Sequence, residues 1–306
     1  MKYRVPIPST CPGLLPRRTA AASLASRGRC RIVMTPDETY AWRPALLHTL
    51  EMDIPCSWRT GASTVMGEVR SRNEDAVLTQ EVGPWQVALC ADGLGGLPLG
   101  GVASRIAVFE AARWLRRQLP RSPHASPEGL RSLALTSLQE AQRALERQAE
   151  LEQLPDDGGL RTTLTVVVAG PDFWAYAHAG DGFGIRVLSS RARVESWLEP
   201  QKGAHAGEVA CSLGPRLEGT PRSGVLERDA DELLAFGSDG LGDQVDLEMF
   251  GFHLAQHLQQ DTRGLSEACA GLLEGLAGLR AENGFVFEDN LSLVVLQSAW
   301  PQGASC

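Results

Sequence analysis

Carboxylates and glycines recur together at turns along this chain. The stretches are Arg70-Ser71-Arg72-Asn73-Glu74-Asp75, Asp92-Gly93-Leu94-Gly95-Gly96, Asp156-Asp157, Gly180-Asp181-Gly182, Ser238-Asp239-Gly240 and Glu288-Asp289-Asn290. Carboxylates gathered within a few ångströms repel one another, and such a cluster is stable only where cations neutralise it. Asp and backbone carbonyl oxygens are hard donors that suit Mg²⁺ or Mn²⁺. Glycine after Asp92 and after Asp239 lets the main chain approach an ion and turn sharply. No His or Cys accompanies these runs, which disfavours zinc.

Whether these turns meet depends on the elements between them. Val-, Leu-, Thr- and aromatic-rich runs predict strands at Ser63–Val69, Ala76–Glu81, Trp85–Ala91, Thr162–Ala169, Phe173–Ala179, Phe183–Ser189, Arg193–Leu198, Glu232–Gly237 and Leu291–Gln297. Helical patterns cover Val102–Leu119, about Pro127–Leu154 with Ser126 as N-cap, Leu247–Gln260 and Leu265–Glu282. Short connections require sequential strands to run antiparallel. Plain Gly, Pro and Ser turns then collect at one end of the sheets, and nearly every acidic turn collects at the other. The order of elements predicts an α+β fold, a layered sandwich with helices packed on the sheets.

The bulk numbers narrow the function. The chain has 306 residues, 43% hydrophobic and 22% charged, ordinary for a folded protein. Seven of its 29 basic residues lie within residues 1–36, which hold no acid, so the rest carries 22 basic against 37 acidic residues. An acidic body argues against nucleic acid as a substrate. No run approaches the roughly 18 apolar residues of a membrane span. Seven scattered cysteines without a C-x-x-C pair fit a reducing cytosol and argue against structural disulfides; Cys90, in an apolar run, reads as a buried inert thiol. Residues 1–60 are expected to form a low-structure basic extension, loosely like an organellar transit peptide between residues 14 and 34, and residues 299–306 a short tail.

The motifs resemble, in order, those of type 2C (PPM) protein serine/threonine phosphatases. They are Arg70 to Ala76, Asp92 to Gly96, Thr162-Thr163-Leu164, Ala177-His178-Ala179-Gly180-Asp181, Ser238 to Asp243 and Asp289-Asn290. The match spans about residues 61–298. It implies a four-layer α-β-β-α sandwich, two mainly antiparallel sheets flanked by helix pairs. It makes Asp92 the carboxylate bridging two divalent cations, Mn²⁺ or Mg²⁺, with the Gly93 carbonyl on the second. Asp239 and Asp289 would hold the first, and Glu74 and Asp75 would act through metal-bound waters. Arg70 would grip the substrate phosphate with its planar fork. Asp243, with Asp156 or Asp157, would form a weaker third-cation site.

The implied reaction is hydrolysis of phosphoserine and phosphothreonine by a metal-bridging hydroxide. Two cations lower the pKa of a shared water from about 15.7 toward about 7. The implied partners are phosphorylated Ser/Thr proteins and a cognate kinase, and the expected state is a cytoplasmic monomer. The alternative is a catalytically weak pseudophosphatase that binds phosphoproteins and regulates them. Its motives are departures from the family pattern. Arg161 stands for the glycine before the Thr-Thr pair, Gly182 for the usual serine, and the flap between Trp197 and Leu213 is short and lacks its acidic pattern; Leu94, where eukaryotic members often have histidine, is an apolar residue of the kind common in bacterial members. His253 and His257 have metal-ligand spacing on a helix but no third ligand, and read as a solvated face; His178 reads as a packing residue. The arginines at 113, 116, 117 and 121 read as an exposed helix face.

Overall fold

Period-2 burial organises the strands, and the computed structural model shows where each face goes. It describes residues 31–33, 58–95, 98–155, 159–205, 207–260, 264–282 and 286–298. Most of the expected N-terminal extension, the tail from residue 299, and the pair Asp156-Asp157 lie outside the described residues. The strands are β1 (Arg31–Val33), β2 (Trp58–Val65), β3 (Asp75–Val82), β4 (Trp85–Asp92), β5 (Leu164–Ala169), β6 (Phe173–Ala179), β7 (Phe183–Leu188), β8 (Arg193–Leu198), β9 (Arg222–Glu227), β10 (Glu232–Gly237) and β11 (Leu291–Ser298). The helices are α1 (Gly100–Gln118), α2 (Pro127–Glu152), the single turn α3 (Asp239–Gly242), α4 (Leu247–Gln260) and α5 (Leu265–Glu282).

Two sheets form, in the orders β1-β3-β4-β5-β6-β9 and β2-β11-β10-β7-β8, and every pairing is antiparallel. Helices α1 and α2 cover the first sheet, and α4 and α5 the second. The four layers α-β-β-α are therefore those expected. In β4, Val87, Leu89 and Ala91 face the α1–α2 layer, whereas Ala88 and Cys90 face the gap between the sheets. In β10, Leu233 and Ala235 face α4 and α5, and Leu234 and Phe236 face the gap. Both faces of these strands are dry, so they read as continuous apolar runs.

The gap is aromatic at its centre. Trp197 packs edge-on against Trp174 and Phe236, with ring centroids at 5.1 and 6.0 Å. The fully buried Phe236 touches both sheets' inner faces, so Phe236→Ala is expected to cost about 3–5 kcal/mol. A urea titration would show it as a lower midpoint at unchanged slope; a midpoint within error of the parent's would mean the gap is not close-packed.

Three local expectations shift. Strand β2 runs Trp58–Val65 and not Ser63–Val69, because Trp58 is buried and its indole N–H donates to the Gly170 carbonyl at 2.6 Å, tying β2 to the other sheet. Strand β9 was not predicted: it is a half-buried edge strand with Gly224 at its centre, under the Tyr176 ring. Asp239 opens a helical turn and not a plain loop. The predicted cap of α2 forms, Ser126 accepting from the Gly129 N–H at 3.1 Å.

Candidate active site

The same alternation that fills the gap with side chains changes their chemistry at one rim. On β3, Val77 faces the gap and so does Asp75; on β4, Cys90 does and so does Asp92. The two aspartates are directly opposite in register. From the second sheet the gap-facing positions beyond Val294 and Phe236 are Ser292 and Ser238, and beyond Ala62 is Thr64. The dry core thus gives way to acids and hydroxyls in two residues of strand.

These groups are tied together. Ser292 Oγ lies 2.5 Å from the Asp75 carboxylate and 2.9 Å from Thr64 Oγ1. Ser238 Oγ accepts from the Ser292 N–H at 3.0 Å. The Asp92 main chain is clamped by the Thr-Thr pair: its N–H donates to Thr163 Oγ1 at 2.9 Å, and its carbonyl accepts from the Thr163 N–H and from Thr162 Oγ1, both at 2.8 Å. The Gly93 N–H donates to the Glu74 carbonyl at 3.2 Å, and a Cβ on Gly93 would fall 2.3 Å from Gly100, so only glycine fits.

Crowding is visible in the electrostatics. Burial, and then the Asp75, Asp239 and Asp289 charges, push Asp92 well above the ordinary carboxylate range. Burial raises Asp75 to about 6 against hydrogen bonds from Ser292 and Ser238. Burial, then the Asp289 and Asp243 charges, raises Asp239. Asp181 is pushed up to about 7 by burial and by Asp239. Asp75 Oδ1 is buried with no hydrogen-bond partner among the described residues.

The structure therefore places Asp75, Asp92, Asp239 and Asp289 within one electrostatic neighbourhood, with the buried Glu74 beside them in sequence and Asp243 one turn beyond Asp239. Among the described residues, no three His, Cys, Asp or Glu side chains are already folded around one point as a ligand set. Two basic groups pair with the outer acids. Arg70 Nη2 donates to Asp289 at 2.6 Å while its fork lies over the Gly95 backbone, and Lys202 Nζ pairs with Asp243 at 2.5 Å.

The departures now have physical reasons. A Cβ on Gly182 would lie 2.4 Å from the Gly237 carbonyl, so serine has no room. The buried Arg161 turns away from the carboxylates, to Ser212 Oγ at 3.2 Å and Glu218 at 2.7 Å, pinning the segment after β8. His178 is buried in the gap, its Nε2 at 2.8 Å from the Gly180 carbonyl and its Nδ1 at 2.9 Å from Thr165 Oγ1; burial lowers it to about 4, so it is neutral. It is a satisfied packing residue. His253 and His257 are half-buried on α4, which gives no residue to the cluster. Sequence reasoning missed Ser238, Ser292 and Thr64, whose only signal was their phase in the strand alternation, and Lys202, which had none.

Residues 68–274 match the family described as Protein phosphatase 2C. No curated protein sequence matches the chain. Solved structures with the same fold include the Mycobacterium tuberculosis serine/threonine phosphatase PstP/Ppp, 22% identical, with 79% of this chain and 99% of that chain covered at a TM-score of 0.61. The S. agalactiae serine/threonine phosphatase is 21% identical over 78% of this chain and 99% of its own, also at 0.61. A PstP catalytic domain in complex with 2 manganese ions is 22% identical over 78% and 97%, at 0.59. With the family's profile matched over most of the chain, this protein belongs to the protein phosphatase 2C family.

Proposed function

We propose that the chain is an active metal-dependent phosphoprotein phosphatase, a phosphoric monoester hydrolase acting on phosphoserine and phosphothreonine in proteins phosphorylated by a kinase. The observation that carries the reading is the meeting of Asp75, Asp92, Asp239 and Asp289 at one rim, with Asp75 and Asp92 face to face, and Asp75, Asp92 and Asp239 raised first by burial and then by neighbouring acids. The donor set fits hard divalent cations: oxygen atoms only, an excess of negative charge, and an unpartnered buried Oδ1 on Asp75. Asp92 would bridge two ions, Gly93 would offer its carbonyl, Asp239 and Asp289 would hold one ion, and Glu74 and Asp75 would act through water. Asp243, with Asp156 or Asp157, is the position the family resemblance gives a weaker third ion, and there Lys202 already pairs with Asp243. Bound there, Mn²⁺ or Mg²⁺ supplies a water of lowered pKa and offsets charge on the phosphoryl oxygens.

The chain's own groups do the rest. Thr162 and Thr163 fix the Asp92 backbone from both sides, so its carboxylate needs no reorganisation. Ser292 holds Asp75 by one oxygen and leaves the other for the cluster. Arg70, at the rim between Asp289 and Gly95, would take a phosphoryl group through two parallel N–H donors. The test is hydrolysis of para-nitrophenyl phosphate and of a phosphothreonine peptide, with and without Mn²⁺. Metal-dependent turnover on both is expected. Absence of turnover with phosphoprotein binding intact would support the regulatory alternative instead.

A further inference from the structure

The segment between β8 and β9 is short, yet it is fixed at the rim by its own hydrogen bonds. The Gln201 N–H donates to the Gly180 carbonyl at 2.8 Å, and the Gly180 N–H donates back to Gln201 Oε1 at 3.2 Å. Gln201 Nε2 reaches the Thr220 carbonyl at 2.8 Å, and the Ala210 N–H bonds the Gln201 carbonyl at 2.8 Å. Lys202 follows immediately, in a bridge with Val209. Its backbone is therefore anchored to the Gly180-Asp181 turn, and its ammonium is delivered to Asp243 Oδ1 at 2.5 Å.

We infer that Lys202 is a built-in cation of this site: its ammonium takes the place of a third divalent ion at Asp243, so the chain loads two metal ions and not three. The inference rests on the two-cation reading above. Exposure decides what the contact is for. The Lys202 and Asp243 side chains are 45% and 29% exposed, and an ion pair so open to water adds little to stability. Its effect is occupancy, since a lone pair engaged by an ammonium at contact distance is not open to a metal. The charge also reaches inward, opposing the rise that burial imposes on Asp181 and Asp239. Arg70 pairs with Asp289 at 2.6 Å on the other flank, but Arg70 is the group assigned to the phosphate. Lys202 has no such second task.

Lys202→Met keeps the aliphatic stem and removes the charge. Equilibrium dialysis of the full chain against millimolar Mn²⁺, without substrate, counts bound ions. The Lys202→Met chain is expected to bind one Mn²⁺ more than the parent, weakly, and to lose it again on adding Asp243→Asn. Lys202→Arg, which keeps the charge, is expected to match the parent. In chelator, Lys202→Met is expected to melt about 1–3 °C lower, as the outer acids lose their counter-charge. Equal ion counts for Lys202→Met and parent would overturn the inference, and so would an extra ion that persists with Asp243→Asn. Failure of the phosphatase reading shows separately, as a parent that binds Mn²⁺ but does not turn over phosphoester.

Discussion

An Asp92→Asn chain is expected to lose Mn²⁺-dependent phosphoester hydrolysis by a factor on the order of a thousand or more, about 4 kcal/mol of barrier, and yet to melt above the parent in chelator. The two effects have one cause. Asp92 is the most crowded acid of the rim, raised by burial and by the Asp75, Asp239 and Asp289 charges. Without metal that crowding destabilises the fold, and amide replacement relieves it. With metal, on the proposed reading, the same carboxylate would be a ligand of the ions. The Asn variant keeps the clamp from Thr162 and Thr163, because those hydrogen bonds are made by the Asp92 main chain and not its carboxylate. Steady-state kinetics and thermal melts on the same sample test both halves. Parent-like turnover would remove Asp92 from the metal assignment, and a lower melting point in chelator would mean its charge is not repelled.

The second large effect is an inverted dependence of stability on pH. Asp181 and Glu232 have folded values of about 7, against ordinary values of 3.8 and 4.5, and burial also holds Asp92 well above its ordinary range. A raised acid is stabilising while protonated, so its contribution is full below the unfolded value and fades as pH climbs through the folded value. His178, lowered to about 4 from 6.5, acts oppositely but only below about 6.5. The clean window is therefore about pH 6.5–8, where the chelated protein is expected to lose about 1–2 kcal/mol on going up. Saturating Mn²⁺ replaces the protons at the rim, so its stabilising shift is expected to grow with pH. Part of the slope must remain with metal, because Glu232 is satisfied by Trp174 Nε1 at 3.0 Å and by Arg186, away from the cluster. Melting curves across that window, with and without Mn²⁺, check the sign. A metal shift that shrinks toward pH 8 would sink the account.

How far the residues alone disclose this depends on range. Strands β3 to β8, β10 and β11 and the four long helices were legible because their apolar periods are strong and their turns carry Gly, Pro or Ser. Strand β9 was not, since an edge strand such as Arg222–Glu227 buries only part of each side chain and so shows no alternation. The acids at 75, 92, 239 and 289 were legible through turn chemistry and one rule about antiparallel connections. The groups that tune them were not. Ser292 and Asp75 are 217 residues apart in sequence, and Lys202 and Asp243 are 41 apart; no local pattern specifies either meeting. Arg161 and Gly182 looked like erosion of a motif in the sequence. Contacts with Ser212 and Glu218, and the closeness of the Gly237 carbonyl, give both a structural reason.

Strand β11 lies inside its sheet, between β2 and β10, although it is the last element among the described residues. A nascent polypeptide can assemble β3-β4-β5-β6-β9 with α1 and α2 while translation continues, but the second sheet stays split until residues 291–298 leave the ribosome. Asp75 waits without its Ser292 partner, and Asp289 arrives just ahead of the closing strand. Assembly of the acid cluster thus waits for β11, and a product ending just before it would carry Asp75, Asp92, Asp239 and Asp289 without the Ser292 that holds Asp75.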